Sequence, residues 1–489
     1  MTQFVDRREE LATLSQLASE NRPHFLIVFG RRRLGKTTLL LEFAARSGLP
    51  TLYWVASKQS EAVLQRSLYE TSARFLDIPL PPGTVTPSDW TSFFQFLAET
   101  IQEKFGHQRV LVILDEFPYA VEASAPLPSE LQNAWDHFFK TRTNVFLAIA
   151  GSHIGMMARL REQQAPLYGR FTAQLPVGPL PFSALAEFFP QMTAVERVGV
   201  YAIFGGVPAY LERIIPERSI RANVEQETVA ATGIFRTEAF HSLQEDLRDT
   251  HSYHSILQAI GQGYHTHDEI ALQSGVARSS LPKYLNRLMA LGYVVRRLPA
   301  TVPLEQWGRS RQSRYVLADQ FLRFFYRFIS PNLVSIEQGL FHDLWDEISQ
   351  QMRAFVGVTV FEELSREWLR QQAIAGKLPF HPQVIGAHWS KEVQVDVVAI
   401  NWRVRQILLG ECKWGAEAVA RDVVRELTEE KTPRVLKELP DGGAGWAVHY
   451  AFFARAGFTD AAQALAMTHG ALLVDLTRLD QDLEAASGT

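Results

Sequence analysis

Near the start of the chain an apolar run of strand length, His24-Phe25-Leu26-Ile27-Val28-Phe29, leads directly into Gly30-Arg31-Arg32-Arg33-Leu34-Gly35-Lys36-Thr37. A helix-like stretch follows, Thr38-Leu39-Leu40-Leu41-Glu42-Phe43-Ala44-Ala45. Strand, G-x-x-x-x-G-K-T and helix in that order make a phosphate-binding loop, which demands an α/β scaffold with a buried strand and a helix pointing its N-terminus at the phosphates. The glycines let backbone N–H groups wrap the phosphates, Lys36 brings a point charge to the β- and γ-phosphates, and the Thr37 hydroxyl can ligate Mg²⁺. Gly30, Gly35, Lys36, Thr37 and Thr38 are the residues expected to hold a nucleotide.

A second apolar run, Val110-Leu111-Val112-Ile113-Leu114, ends in Asp115-Glu116. A buried strand delivering two carboxylates at its C-terminal end suits Mg²⁺ ligation by Asp115 and activation of the attacking water by Glu116, which argues for hydrolysis rather than binding alone. A third run, Val145-Phe146-Leu147-Ala148-Ile149-Ala150, ends at Gly151-Ser152-His153. Ser152 either faces the γ-phosphate or is an ordinary residue of a strand-to-helix turn. Leu52-Tyr53-Trp54-Val55 reads as one more strand between the two nucleotide motifs.

Length and composition set the frame around these motifs. At 489 residues, 46% hydrophobic and 21% charged, the chain has material for about three folded domains. Its 49 basic and 53 acidic residues leave a net charge of −4, which gives no whole-chain sign of a nucleic-acid binder. One cysteine, Cys412, excludes an internal disulfide framework and fits a reducing compartment. No apolar stretch approaches the roughly 20 residues that a membrane helix needs, so the expectation is a cytoplasmic protein without membrane contact.

The order of these motifs resembles the AAA+/STAND-type P-loop ATPases, and more closely the prokaryotic and archaeal ATPase family that carries a C-terminal domain of unassigned function. The cues are Phe4-Val5-Asp6-Arg7-Arg8-Glu9-Glu10-Leu11, Gly30-Arg31-Arg32-Arg33, Asp115-Glu116-Phe117-Pro118-Tyr119, Gly151-Ser152, Pro166-Leu167-Tyr168-Gly169-Arg170 and Gly205-Gly206-Val207-Pro208-Ala209-Tyr210-Leu211. The resemblance implies a pocket for ATP closed by residues 4–11, Arg7 among them, and by a helical lid around residues 205–211. It makes Arg170 the candidate to sense or stabilise the γ-phosphate, in cis or from a neighbouring subunit of a homo-oligomer. An ordinary surface arginine is the other reading of Arg170. Asp6 stands where relatives often place glycine.

In the middle of the chain, Tyr253-His254-Ser255-Ile256-Leu257-Gln258-Ala259-Ile260 has helical spacing, Thr266-His267-Asp268-Glu269 is a capping box, and Ser280 to Met289 forms a third helix closing at Gly292. Tyr293-Val294-Val295-Arg296-Arg297 and a returning strand at residues 313–317 complete a winged helix-turn-helix plan. Between residues 278 and 316, eight basic residues face one acid, Glu305, a local balance of +7. Lys283, Arg287, Arg296 and Arg297 are the expected DNA contacts; the alternatives are a solvated face or a surface docked on an acidic partner domain. The aromatic run 319–328 reads as a buried helix face with Arg323 and Arg327 turned outward.

Towards the carboxyl terminus, Val393-Gln394-Val395-Asp396-Val397-Val398-Ala399-Ile400 and Ile407-Leu408-Leu409-Gly410-Glu411-Cys412-Lys413 form a hairpin. A turn centred on residue 403 sets Asp396 opposite Gly410 and beside Glu411, with Glu411 and Lys413 on one face and Cys412 on the other. A carboxylate inside an apolar strand is expensive unless a cation relieves it, and two such oxygens suit Mg²⁺. This D-x14-E-x-K constellation resembles the PD-(D/E)xK nuclease superfamily. The resemblance implies Glu362, on the preceding helix, as an additional metal-site acid beside Asp396 and Glu411, with Lys413 assisting the chemistry and Mn²⁺ as a possible substitute for Mg²⁺. Lys431 on the following helix is placed along the groove. A salt-bridged structural hairpin, or an inactive DNA-binding domain, is the other reading.

The expected architecture is therefore a multidomain α/β protein: a P-loop AAA+ core over 1–190, a helical lid over 191–245, a winged helix over 246–332 and a restriction-endonuclease-like α/β domain over 333–489. The expected function is an ATP-hydrolysing, Mg²⁺-requiring DNA nuclease. The alternative is an ATP-dependent DNA-binding switch with a silent nuclease-like domain.

Overall fold

The computed structural model describes residues 4–80, 89–228, 230, 233, 235–247 and 250–487. These fall into two compact units, one running to Leu180 and including Val207–Glu212, the other made of Pro181–Gly206 and the chain from Arg213 onward. Part of the expected lid, residues 229, 231, 232 and 234, lies outside the described residues.

The first unit is built on five parallel strands: β1 (His24–Phe29), β2 (Thr51–Val55), β3 (Val110–Asp115), β4 (Val145–Gly151) and β5 (Ala173–Pro176), in the order β2-β3-β4-β1-β5. β1, β3 and β4 each have a neighbour on both sides, which is why they read as unbroken apolar runs rather than alternating ones. β2 lies at an edge and alternates: Leu52 and Trp54 enter the core while Tyr53 takes the opposite face. Because the strands are parallel, the C-terminal ends carrying Gly30, Asp115 and Ser152 open on one side of the sheet, where α/β proteins bind ligands.

Two close approaches there need glycine. A Cβ on Gly30 would meet the Val177 carbonyl oxygen at 2.1 Å, and one on Gly151 would meet Pro118 Cδ at 2.5 Å.

The second unit contains helices His251–Gly261, His267–Ser274 and Leu281–Ala290, followed by an antiparallel ribbon of β6 (Val294–Arg297) and β7 (Arg314–Leu317). The Thr266–Glu269 capping box is fully formed, with both reciprocal bonds present. Thr266→Ala is expected to cost about 1 kcal/mol in the unfolding transition of this unit, measured by urea titration.

Its larger sheet comprises β8 (Val384–Trp389), β9 (Gln394–Asn401), β10 (Gln406–Lys413), β11 (Ala447–Ala454) and β12 (Leu472–Asp475). β8, β9 and β10 run antiparallel to their neighbours, while β10, β11 and β12 are parallel. Leu408, Val397 and Ala399 pack with Phe361, Leu364 and Trp368 on one face. Ile407, Leu409, Val398 and Ile400 pack with Val424, Leu427 and Val435 on the other.

β8 is an edge strand, and the segment joining and closing the ribbon lies along it. Ala300 donates its N–H to the Ala387 carbonyl (2.8 Å), Thr301 Oγ1 meets His388 Nδ1 (2.7 Å), and the Trp389 indole donates to the Gln312 carbonyl (3.0 Å). The expected outward orientation of Arg323 is not what folds. Arg323 is buried, donating to the Leu317 and Thr359 carbonyls (2.7 Å each) and pairing with Glu363 at 3.0 Å, whereas Arg327 is exposed.

Candidate functional site

At the end of β1 the chain enters the phosphate loop and passes through Arg33 and Gly35, both with left-handed backbone, into the helix Lys36–Ser47. Lys36 is 5% exposed, and its ammonium donates to the Gly30 and Arg31 carbonyls at 2.9 and 3.0 Å. Burial pushes that ammonium below the ordinary lysine range, and the nearby Glu116 and Asp115 carboxylates partly offset it. A phosphate arriving at the loop would take over the role of those carbonyls. Thr38, two residues further along the helix, is exposed.

Asp115 ends β3 under three donors. Its Oδ1 accepts the Glu116 N–H at 2.8 Å, and its Oδ2 accepts the hydroxyls of Thr37 (2.6 Å) and Tyr53 (3.3 Å). Burial first and Asp115 second raise the Tyr53 phenol above its usual range. Glu116 has left-handed backbone, and its Oε1 accepts the Ser152 hydroxyl at 2.6 Å. Ser152 is thus tied to the residue expected to activate water. The Thr37 and Asp115 oxygens fit a hard cation such as Mg²⁺ in kind and position.

Arg7 is buried with left-handed backbone and donates to Glu10 (2.8 Å), the Leu34 carbonyl (2.9 Å) and the Gly178 carbonyl (2.5 Å). It braces the loop backbone. Arg170 donates to Asp136 at 3.1 and 3.3 Å and to the Tyr168 carbonyl at 3.0 Å. The short helix Pro208–Leu211 belongs to this unit, with Pro208 under Gly35 and the Tyr210 ring 6.0 Å from the Arg33 guanidinium.

In the second unit, the hairpin register is one residue away from the expected one. The Asn401 side chain accepts the N–H of Arg403 (3.0 Å) and Val404 (3.3 Å), and Arg405 is left-handed, so the loop has four residues between the Asn401–Gln406 pair. Gly410 then pairs with Val397, and not with Asp396. Against β8, the step from Gly386 to His388 spans Val398 to Val395 on β9, a bulge that contains Asp396. Asp396 Oδ2 accepts the Cys412 N–H at 3.0 Å.

Glu411 is 2% exposed on the face of Ile407 and Leu409, with one oxygen on Lys431 (2.7 Å) and the other on Lys413 (3.1 Å). Burial first and Asp396 second raise its carboxyl, with the two lysines opposing. Burial alone would lower the Lys413 ammonium, but Glu411 and, after it, Asp396 together outweigh this and the net shift is upward.

Glu362 starts a helix (Glu362–Ile374) that packs on the other face, where it pairs with Arg366 at 3.3 Å. Burial and then Asp396 raise its carboxyl well above the usual range. The structure thus brings Asp396, Glu411 and Lys413 together, while Glu362 reaches Asp396 from the opposite side. Among the described residues, no group of three or more His, Cys, Asp or Glu side chains could hold a metal ion. The expected trio of metal acids is not assembled; Asp396 and Glu411 alone fit a cation in kind.

The basic patch also differs from expectation. Arg297 is bonded to Glu363, Arg314 lies 4.8 Å over the Trp389 ring, and Arg296 donates to the Trp307 (3.3 Å) and Ser310 (3.0 Å) carbonyls. Arg297 and Arg314 thus dock the ribbon on its neighbours, and Arg296 braces the segment between the ribbon's own strands. Arg278, Lys283, Arg309 and Arg311 are exposed, and Arg287 is half-buried. The sequence reading missed Glu363 and used Tyr53 only as a strand residue, although the alternation of β2 already set that ring apart from Leu52 and Trp54.

Residues 4–214 match the model of an ATPase domain predominantly from Archaea, and residues 325–427 match a family described as archaeal and bacterial proteins of unknown function. An uncharacterized protein of Methanocaldococcus jannaschii, MJECL04, is 32% identical over 413 residues, which cover 84% of this chain and 87% of that protein. An uncharacterized ATP-binding protein of the same organism, MJ0423, is 48% identical over 40 residues, 8% of this chain and 68% of its own length. Among solved structures, the Walker-type ATPase PABY2304 of Pyrococcus abyssi is similar at 20% identity and a TM-score of 0.49, covering 66% of this chain and 96% of that one. The ORC2 protein of Aeropyrum pernix, solved in ADPNP and ADP complexes, is similar at 14% identity and a TM-score of 0.45, covering 69% of this chain and 98% of its own. Among the described residues, no helix is long and apolar enough to cross a membrane.

Proposed function

Because the chain belongs to the family of the Methanocaldococcus jannaschii protein MJECL04 and carries an archaeal P-loop ATPase domain in its first unit, we propose that it is an ATP-hydrolysing DNA-processing protein whose second unit cleaves phosphodiester bonds. Bound Mg²⁺ supplies charge neutralisation at the phosphoryl group under attack. Lys36 and the N-terminus of its helix bind and orient the β- and γ-phosphates, with Gly30 and Gly35 admitting the backbone to them. Thr37 and Asp115 hold the cation. Glu116 accepts the proton of the attacking water once the Ser152 hydroxyl ceases to occupy its Oε1. Arg170 serves the γ-phosphate of a neighbouring subunit in a homo-oligomer, an arrangement that requires its release from Asp136.

The observation that carries the nuclease half of the reading is the juxtaposition of Asp396, Glu411 and Lys413 at a bulge in the hairpin. Asp396 and Glu411 are the oxygen donors for Mg²⁺ or Mn²⁺, and Lys413 stabilises negative charge on the phosphate. Lys283 and Arg287 on the helix Leu281–Ala290, with Arg278 just before it and Arg309 and Arg311 in the segment between the ribbon strands, provide the cationic surface for the DNA backbone. The three helices and the ribbon support a winged-helix reading.

One specific observation favours a second reading, a nucleotide-dependent DNA-binding switch with a silent second unit. Glu411 already has a lysine on each oxygen and Glu362 has Arg366, so protein cations neutralise the acids. The two readings separate in one assay: full-length protein with supercoiled and linear DNA in Mg²⁺ or Mn²⁺, with and without ATP. The proposal expects metal-dependent cleavage lost in Asp396→Ala. Intact DNA under every condition, beside ongoing ATP hydrolysis, leaves the switch; cleavage that survives Asp396→Ala places the activity elsewhere.

A further inference from the structure

The Asp115 carboxylate carries one more donor than the phosphate-loop chemistry calls for. Its Oδ2 is shared by Thr37 Oγ1 at 2.6 Å and the Tyr53 hydroxyl at 3.3 Å, while Oδ1 is fixed by the Glu116 N–H at 2.8 Å. The parallel register explains how Tyr53 gets there. Tyr53 pairs with Ile113, so Asp115 is its diagonal neighbour two residues further along β3 on the same face. Leu52 and Trp54 are packed into the core on the opposite side, which holds the strand and therefore the ring in place.

The two hydroxyls are not equivalent. Thr37 follows the loop lysine and is the hydroxyl suited to ligate a nucleotide-bound cation, which it can do through an oxygen lone pair while its O–H stays on Asp115. Tyr53 lies on a strand away from the loop and serves the carboxylate.

We propose that Tyr53 is a positioning residue for the magnesium–nucleotide complex, holding the Asp115 carboxylate in its productive orientation while Thr37 ligates the cation. This rests on the ATPase reading above and deepens it. Nothing in the phosphate-loop motifs calls for a tyrosine on β2.

The test uses the full chain with Tyr53→Phe, which keeps the ring and removes only the hydroxyl. ATP affinity is measured by equilibrium titration with EDTA and across a Mg²⁺ series, alongside steady-state hydrolysis over the same series. The expected result is unchanged affinity in EDTA and a half-saturating Mg²⁺ concentration raised roughly fivefold to tenfold, the scale of one lost hydrogen bond of ordinary strength. A Mg²⁺ dependence identical to wild type overturns the proposal. So does an equal loss of affinity with and without Mg²⁺, because that marks a purely structural role. Wild-type protein that binds no ATP in either condition overturns the ATPase reading itself, an outcome visible before the variant is examined.

Discussion

Replacing Glu363 with alanine is expected to destabilise the second unit by about 2–4 kcal/mol, among the largest single-residue effects in the protein. Its carboxylate, 22% exposed, lies between Arg297 of β6 and Arg323 of the aromatic helix. Burial would raise this carboxyl, but Arg323 and Arg297 together bring it down to about 2. Removing it leaves two cations facing each other, one of them 11% exposed, without their shared anion. The range is set below that of a fully buried pair because Arg297 retains 36% exposure. Thermal unfolding of the full chain, followed through the transition of the second unit, checks it, with a drop in melting temperature on the order of 5–10 °C. Arg297→Met should cost less than half as much, since Arg323 keeps its carbonyl partners and its own pairing with Glu363. A variant in which Glu363→Ala melts like wild type would show the cluster to be ornamental.

Lys36→Ala is expected to abolish ATP hydrolysis, by a factor on the order of 100–1000, and most nucleotide binding with it. The ammonium is buried on two loop carbonyls, at the place where the loop receives a phosphate. Glu116→Gln should lose hydrolysis to a similar degree while ATP still binds, because Gln retains the hydrogen bond to Ser152 but cannot accept the proton of water. Phosphate release and equilibrium ATP titration on the same preparations distinguish the two. If Glu116→Gln hydrolyses ATP normally, the water is activated by another group.

The first unit was legible because its signals are local. An all-apolar strand, a fixed-spacing loop and a carboxylate at a strand end each declare themselves within a few residues, and the parallel sheet follows. The second unit depends on distant partners. Arg297 and Arg323 look solvent-facing by composition and helical spacing, but the acid that buries Arg297 stands 66 residues further along the chain. The hairpin was placed correctly and mis-registered by one because loop length turns on the Asn401 side chain and the left-handed Arg405, neither visible as periodicity. That single step, together with the bulge at Asp396, decides which acids meet. The basic count between residues 278 and 316 was accurate as arithmetic, yet two of those arginines dock the ribbon on its neighbours and a third braces the ribbon's own connection.

That docking bears on how the protein can be taken apart. β8 ends its sheet, and the segment around the ribbon meets it through Ala300, Thr301 and Gln312. A fragment beginning after Leu317 would present β8 with an open row of backbone donors and acceptors, the template on which strands from other molecules add. Such a fragment should self-associate, and its behaviour would report a bare edge rather than a natural oligomer.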